Sequence, residues 1–186
     1  MKRILIFSLV FLSTLTVFAQ TELKKSALSD PLDVTKEVEQ IELYGVPTFS
    51  TVAEMRNKAD ALYEAQSWKE AAEAYEQYAK HANWLANIIS QCVEPYYSAN
   101  YDDKKNMSYT RLKTFIPYET ASNKLKEGRN IGYIRIGLCY KNLGDINKAI
   151  AYLHKGLDIL SIDQYTEWEQ GATAIAEIVG FDSNTQ

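Results

Sequence analysis

Residues 129–163, RNIGYIRIGLCYKNLGDINKAIAYLHKGLDILSID, carry two runs of helical apolar spacing separated by a short turn, and no other stretch constrains the fold as tightly. Tyr133, Ile136, Gly137 and Tyr140 recur at intervals of three and four, and so do Ile146, Ala149, Ile150, Leu153, Leu157 and Leu160. That spacing lines each set along one face of an α-helix. Between the runs, Leu143 ends the first, Gly144 can take the left-handed conformation that closes a helix, and Asp145 can accept from the free amides that open the next. The turn is too short for anything but an antiparallel return. Ile131, Ile134 and Leu138 fall on the side opposite Tyr133 and Tyr140, so the first helix is expected inside the molecule, flanked on both sides. A hairpin of this kind cannot bury its stripes alone and implies further helices around it.

The N-terminus speaks to location. Lys2 and Arg3 precede an apolar run without charge from Ile4 to Phe18, and Val17-Phe18-Ala19 offers small residues where a signal peptidase reads. The run falls short of the roughly 20 residues that span a bilayer. Residues 1–19 are therefore expected to be a cleaved signal peptide, with a mature chain beginning at Gln20 in the periplasm or outside the cell. No cysteine follows the cleavage site, which disfavours a lipid anchor, and no stable membrane insertion is expected after cleavage. Without Lys2 and Arg3 the chain keeps 18 basic residues against 24 acidic, a net charge of about −6. That balance argues against nucleic acid as a partner.

Upstream the helical pattern returns. Thr51 with Glu54 and Ser67 with Glu70 have the spacing of capping boxes, each ahead of an apolar stripe: Val52, Met55, Ala59 and Leu62, then Trp68, Ala71, Ala72, Tyr75 and Tyr78. The two copies together are similar to the tetratricopeptide repeat, a 34-residue helix-turn-helix unit with the pattern W-x2-L-G-x2-Y, A-x3-F and P. In the downstream copy Tyr133 stands for the first aromatic, Ile136 and Gly137 for the Leu-Gly pair, Tyr140 for the Tyr, Gly144-Asp145 for the turn and Ala149 for the Ala. Leu153, Gly156 and Ser161 depart from the second aromatic, the later Ala and the closing Pro. Upstream, Ala59, Leu62, Ala71 and Tyr75 match, but Gln66 occupies the position of the turn glycine. Ala71 and Ala149 lie 78 residues apart, ten more than two periods, so the hairpin between them is expected to be atypical or to carry an insertion.

The resemblance implies an all-α fold of antiparallel helical hairpins stacked as a short right-handed solenoid. Residues 20–50 would form a flexible lead with a short helix or strand after Pro31. Hairpins are expected at about 51–81, 83–116 and 119–161, the middle one atypical and interrupted before Pro117. An exposed loop is expected at 101–106. A helix at 163–179, capped by Asp163, would bury Tyr165, Trp168, Ala172, Ile175 and Val179 and close the array with its polar side outward, leaving a tail at 181–186.

The search for chemistry yields little. His81 and His154 belong to no metal-ligand spacing and are expected in solvent, and no nucleophile elbow, phosphate loop or Cys-x-x-Cys is present. Cys92 and Cys139 lie in separate helices, either as small buried side chains or as a bridge. No catalytic residue, metal or cofactor is therefore expected, and the protein is not expected to be an enzyme. In the family the first helices of the hairpins line a concave face that grips a peptide or protein. Carried across, that face comprises Arg56, Asp60, Tyr63, Ile134, Leu138 and Lys141. It lacks the Lys-Asn pairing of family members that clamp a C-terminal carboxylate. The alternative is a sugar or small-molecule site, or an enzyme, built in the irregular middle segment, where Tyr97 and Tyr101 stand at a loop with rings able to stack on a ligand.

Overall fold

Among the described residues the long elements are helices because their apolar residues repeat at three and four, and the hairpin spacing decides which of them become neighbours. The computed structural model describes residues 33–181, so the expected signal peptide and most of the expected tail lie outside the described residues. Among the described residues there is no strand, and no helix is long and apolar enough to cross a membrane. The chain up to Gly45 and the chain from Val46 onward form two units.

The first unit contributes α1 (Thr35–Tyr44), with Val34, Val38, Ile41 and Leu43 exposed. Asp33 accepts at 3.0 Å from the amide of Thr35, and Gly45, at φ +74°, ends the helix.

The second unit holds the remaining helices. α2 (Phe49–Glu64) opens one turn earlier than the spacing of Thr51 and Glu54 suggests: Thr48 is the cap, Thr51 completes a reciprocal capping box with it, and Glu54 accepts instead from the Ser50 hydroxyl. α3 (Trp68–Gln91) follows after a tight turn. α4 (Tyr101–Lys105) is a single turn capped by Asn100, where the sequence suggested an exposed loop. α5 (Tyr109–Asn142) is 34 residues long, α6 (Ile146–Ile159) returns along it, and a 3₁₀ turn at Ile162–Gln164 leads into α7 (Tyr165–Val179).

The expected middle hairpin at 83–116 is absent. Its two apolar runs belong instead to the continuation of α3 and the beginning of α5. No glycine or proline lies between Trp68 and Gln91, so nothing breaks the Ala-rich helix where a 34-residue period would require a turn. Pro117 does not end α5 either. Both it and Lys113, whose carbonyl loses its i+4 amide, are exposed, so water can take the missing donor's place.

Long α3 and long α5 run antiparallel. The register is fixed at one end by the Ser122 hydroxyl donating to the Ala86 carbonyl at 2.9 Å, and at the other by the Tyr140 hydroxyl donating to Glu76 at 3.1 Å. Between these points Gly128 and Gly132 flatten α5 so that the Tyr78 ring can lie on it; a Cβ on Gly128 would fall 2.2 Å from the Tyr78 hydroxyl. Val52, Ala59, Tyr75, Tyr78, Ala82, Leu85, Ala86, Leu125 and Ile136 form the core around this seam. A second core gathers Ile134, Leu153 and Ala174. Full burial of Ile134 contributes about 2 to 3 kcal/mol.

α5 is flanked on both sides, as its two apolar faces require: Ile136 packs toward α3, while Ile134 meets α6 and α7. Gly137 and Gly156 are the close-approach points of the α5–α6 pair, where an added Cβ would come within 2.6 Å of Leu153 and 2.5 Å of Ile134. α7 runs parallel to α5, with Gln164 donating to the Glu127 carbonyl, Gly171 against Ile134, and Lys141 paired with Glu177. Its orientation corrects the expected stripe. Gly171 and Ala174 face inward, whereas Tyr165, Trp168 and Val179 are exposed. The Ile134 side chain fills the space beside α7, and only the small-residue side of that helix fits against it. Asp163 is no cap; Ser161 and Gln164 close a reciprocal capping box.

Candidate functional site

The first helices α2 and α5 lie on either side of a trough whose floor is made by Tyr75 and Tyr78 of α3 together with Gly128 and Gly132. Small residues on α5 are what keep that floor low. The trough consists of three neighbouring hollows that share lining residues. The first, about 580 Å³, is apolar, lined by Phe49, Val52, Ala53, Pro117, Ala121 and Leu125, with Arg56 and Lys124 at its edge. The second, about 400 Å³, continues from Arg56 past Asp60, Tyr63 and Arg135 to Glu167 of α7. The third, about 320 Å³, runs between α5 and α7 from Tyr63 and Arg135 to Leu138, Lys141 and Glu177. Along α5 from Pro117 to Lys141 this spans about 36 Å.

Five of the six residues expected on the concave face line this trough: Arg56, Asp60, Tyr63, Leu138 and Lys141. Ile134 does not. It has no exposed surface and is enclosed by Gly156, Gly171 and Leu157, because its position points it toward α6 and α7 rather than toward α2.

Several trough residues are already engaged. The buried Tyr75 hydroxyl donates to Asp60 at 2.5 Å, and Arg56 lies 3.6 Å from the same carboxylate. Burial, reinforced by the carboxylate it serves, pushes the Tyr75 phenol well above its ordinary value. Burial likewise raises Tyr78. Tyr63 meets Trp68 and Tyr75 edge-on, with centroids at 5.4 and 6.1 Å.

Arg135 was not among the expected residues. Its guanidinium carbon sits 4.7 Å from the centre of the Tyr63 ring, and among the described residues no carboxylate pairs with it. One signal pointed to it: Arg135 lies one residue after Ile134 and three before Leu138, on the edge of the face that was read as apolar.

The alternative loop is largely occupied by its own contacts. Lys126 donates to the Tyr97 hydroxyl at 2.9 Å and lies 4.7 Å from that ring's centre, and the hydroxyl in turn donates to Asn123. Burial tends to raise Tyr97, but the Lys126 bond prevails and its phenol lies below the ordinary value. Beside it Glu119 accepts from Lys104 and from the Tyr96 hydroxyl, each at 2.8 Å, and Lys104 lies over the Tyr96 ring. Tyr101 does not join the group and is 77% exposed.

His81 is buried, not solvated, with Nδ1 2.8 Å from the Gln77 carbonyl, because it follows the core stripe of an α3 that does not stop at 81; His154 is exposed. The cysteines are not bridged. Cys139 is buried, and burial pushes its thiol up to about 12, whereas Cys92, at the end of α3, is exposed. No group of three or more His, Cys, Asp or Glu side chains converges as a metal site among the described residues.

No protein-family model matches this sequence, and comparison with curated proteins and with solved structures returned no match.

Proposed function

We propose that the chain is a short tetratricopeptide-like array, stacked as a right-handed solenoid, that binds a protein or peptide in the trough between α2, α5 and α7 and performs no chemistry of its own. The observation that carries this reading is the continuity of the trough: the first helix of each hairpin contributes to it, and successive parts share Arg56 and Tyr78, then Tyr63 and Arg135. A concave channel that is apolar at one end and lined by charges of both signs further along is suited to gripping a chain. The repeat resemblance gains support from two pairs of small buried residues, Ala59 with Gly137 and Ala71 with Ala149, each at the same 78-residue separation. The charged start and apolar run of the sequence favour a place of action outside the cytoplasm.

A photocrosslinking side chain placed at Thr120, on the trough edge, should capture a defined protein in an extracytoplasmic extract. Filling the apolar part with Ala53→Trp should abolish that capture while leaving the helical circular dichroism unchanged. Equal capture by the filled variant, or turnover of a substrate by the pure protein, would reject the reading.

A further inference from the structure

The apolar stripe of α7 faces outward, and we infer that a second copy of this chain covers it, the two α7 helices packing antiparallel about a two-fold axis at Ala172.

Tyr165, Trp168, Ala172, Ile175 and Val179 keep the three-and-four spacing of a packing face, yet α7 turns Gly171 and Ala174 inward instead. Tyr165, Trp168 and Val179 are left 61%, 45% and 63% exposed. The rings of Tyr165 and Trp168 stack with centroids at 5.8 Å, so they form one plate that is ordered before any partner arrives. At the other end Gly180, left-handed at φ +71°, lets the Phe181 amide donate back to the Ala176 carbonyl at 2.8 Å. Phe181 is thereby held at the end of the helix, 54% exposed, and Ile162 in the turn before α7 is 92% exposed. No charged residue falls within the stripe, and Glu169 borders it.

The open area matches what a second copy needs. Large side chains carry about 150–250 Å² each, so at these exposures Ile162, Tyr165, Trp168, Val179 and Phe181 leave roughly 500 Å² open per copy. That is at the upper end for the largest apolar patch of a typical monomer, about 300–600 Å². It supplies most of the roughly 800 Å² that each partner contributes to a stable interface, and Thr166, Glu169, Ala172 and Ala176 around it bring the rest.

The spacing is also self-complementary, which a two-fold interface requires. Tyr165 and Val179 lie seven residues on either side of Ala172, while Trp168 lies four before it and Ile175 three after. Antiparallel helices crossing at Ala172 therefore set Tyr165 against Val179 of the second copy and Trp168 against its Ile175. Each ring meets an aliphatic side chain, and the small Ala172 lets the two axes approach. A parallel pairing would set ring on ring at one end, leave a gap at the other and align the two helix dipoles. The trough stays open in the pair: Gln170, Thr173 and Glu177, which line it, sit about 140° around α7 from the stripe. The pairing is thus independent of what the trough binds.

The test takes the chain from Gln20 onward, without the apolar leader whose own association would mask the result. Its mass is measured by sedimentation equilibrium over a concentration series reaching about 200 μM. The mass should rise with concentration toward twice that of the monomer, since interfaces of this size bind at micromolar dissociation constants or tighter. Ala172→Glu brings two like charges together at the axis, and Val179→Glu sets a carboxylate against each Tyr165. Each variant should weaken association at least about tenfold with the helical circular dichroism unchanged. Tyr109→Glu, at an exposed aromatic at the start of α5, should change nothing. In a Cys92→Ser background, a short bismaleimide should link Tyr165→Cys to Val179→Cys in an equimolar mixture more than it links either variant to itself.

A monomer at the highest concentration would overturn the inference. So would a dimer that survives both glutamate variants, because it forms through another face. Linkage mainly of like with like would overturn the antiparallel pairing, and a dimer in which neither position is linked would overturn the α7 interface.

Discussion

Gln66 and Gly144, 78 residues apart, hold the same place in two turns of matching backbone hydrogen bonding. In the first turn the amides of Gln66, Ser67, Trp68 and Ala71 donate to the carbonyls of Tyr63, Leu62, Gln66 and Ser67. In the second those of Gly144, Asp145, Ile146 and Ala149 donate to Lys141, Tyr140, Gly144 and Asp145. Both central residues are left-handed, at φ +57° and +77°. A side chain in that conformation costs about 1 to 2 kcal/mol, which glycine does not incur.

Gln66→Gly should therefore raise stability by about 1 kcal/mol, and Gly144→Gln should lower it by a similar amount. Urea denaturation of both variants beside the parent checks the pair. A loss of stability in Gln66→Gly would mean that the glutamine side chain contributes more than its backbone conformation costs.

The approach of α5 to α6 at Gly137 leaves no room for a methyl group, with Leu153 Cγ 2.6 Å and its backbone nitrogen 2.9 Å from where a Cβ would lie. Gly137→Ala should destabilise by about 1 to 3 kcal/mol. Trimming Leu153 to Ala in the same chain should offset part of that, because the side-chain clash disappears while the backbone one remains. His154→Ala, on the exposed side, should change stability by less than about 0.5 kcal/mol. A thermodynamic cycle over Gly137 and Leu153 measures the coupling, and full additivity would contradict the packing described.

Glu119 gives a pH signature. Lys104, and after it the Tyr96 hydroxyl, hold its carboxyl below the usual value of 4.5, against the opposing effect of burial. A carboxylate whose native pKa is depressed contributes stability that is fully present above its unfolded pKa and is lost as pH falls through the native one. Glu119→Gln should thus cost about 1 kcal/mol at pH 7, with the difference from the parent shrinking as pH falls below 4.5 through the depressed native value. Stability curves for both proteins from neutral pH into the acid range would show the gap closing on the acid side only; a gap that does not change with pH would place the contribution in packing instead of charge.

What could be read from the sequence followed the strength of local signals. The α5–α6 hairpin was legible because Gly144, Asp145 and two clean apolar periods all specify one geometry. Its upstream counterpart was legible in spite of Gln66, since Ala59, Ala71 and Tyr75 kept the spacing. The middle was misread because a repeat period is a statement about stacking, whereas a helix ends only where the chain itself supplies a stop, and none occurs between Trp68 and Gln91. Ile134 and Arg135 show the limit of a helical wheel. Adjacent residues differ by about 100°, and only knowing where α6 and α7 sit reveals that the isoleucine is sealed in and the arginine reaches the trough. Likewise Tyr165 and Trp168 looked like core, until the small faces of Gly171 and Ala174 proved to be what fits beside Ile134.

The unbroken run of α5 bears on how the protein comes apart. An array of separate hairpins behaves as a row of linked but distinct units, and its end units can open while the rest holds. Here one rod of about 51 Å is shared: its first half is clasped by α3, and its second by α3, α6 and α7 together. Loosening either end strips contacts from a helix that the other end also depends on. Amide hydrogens along α3 and the central turns of α5 should then exchange with a common protection set by global unfolding, and the trough they floor opens only when the whole bundle does.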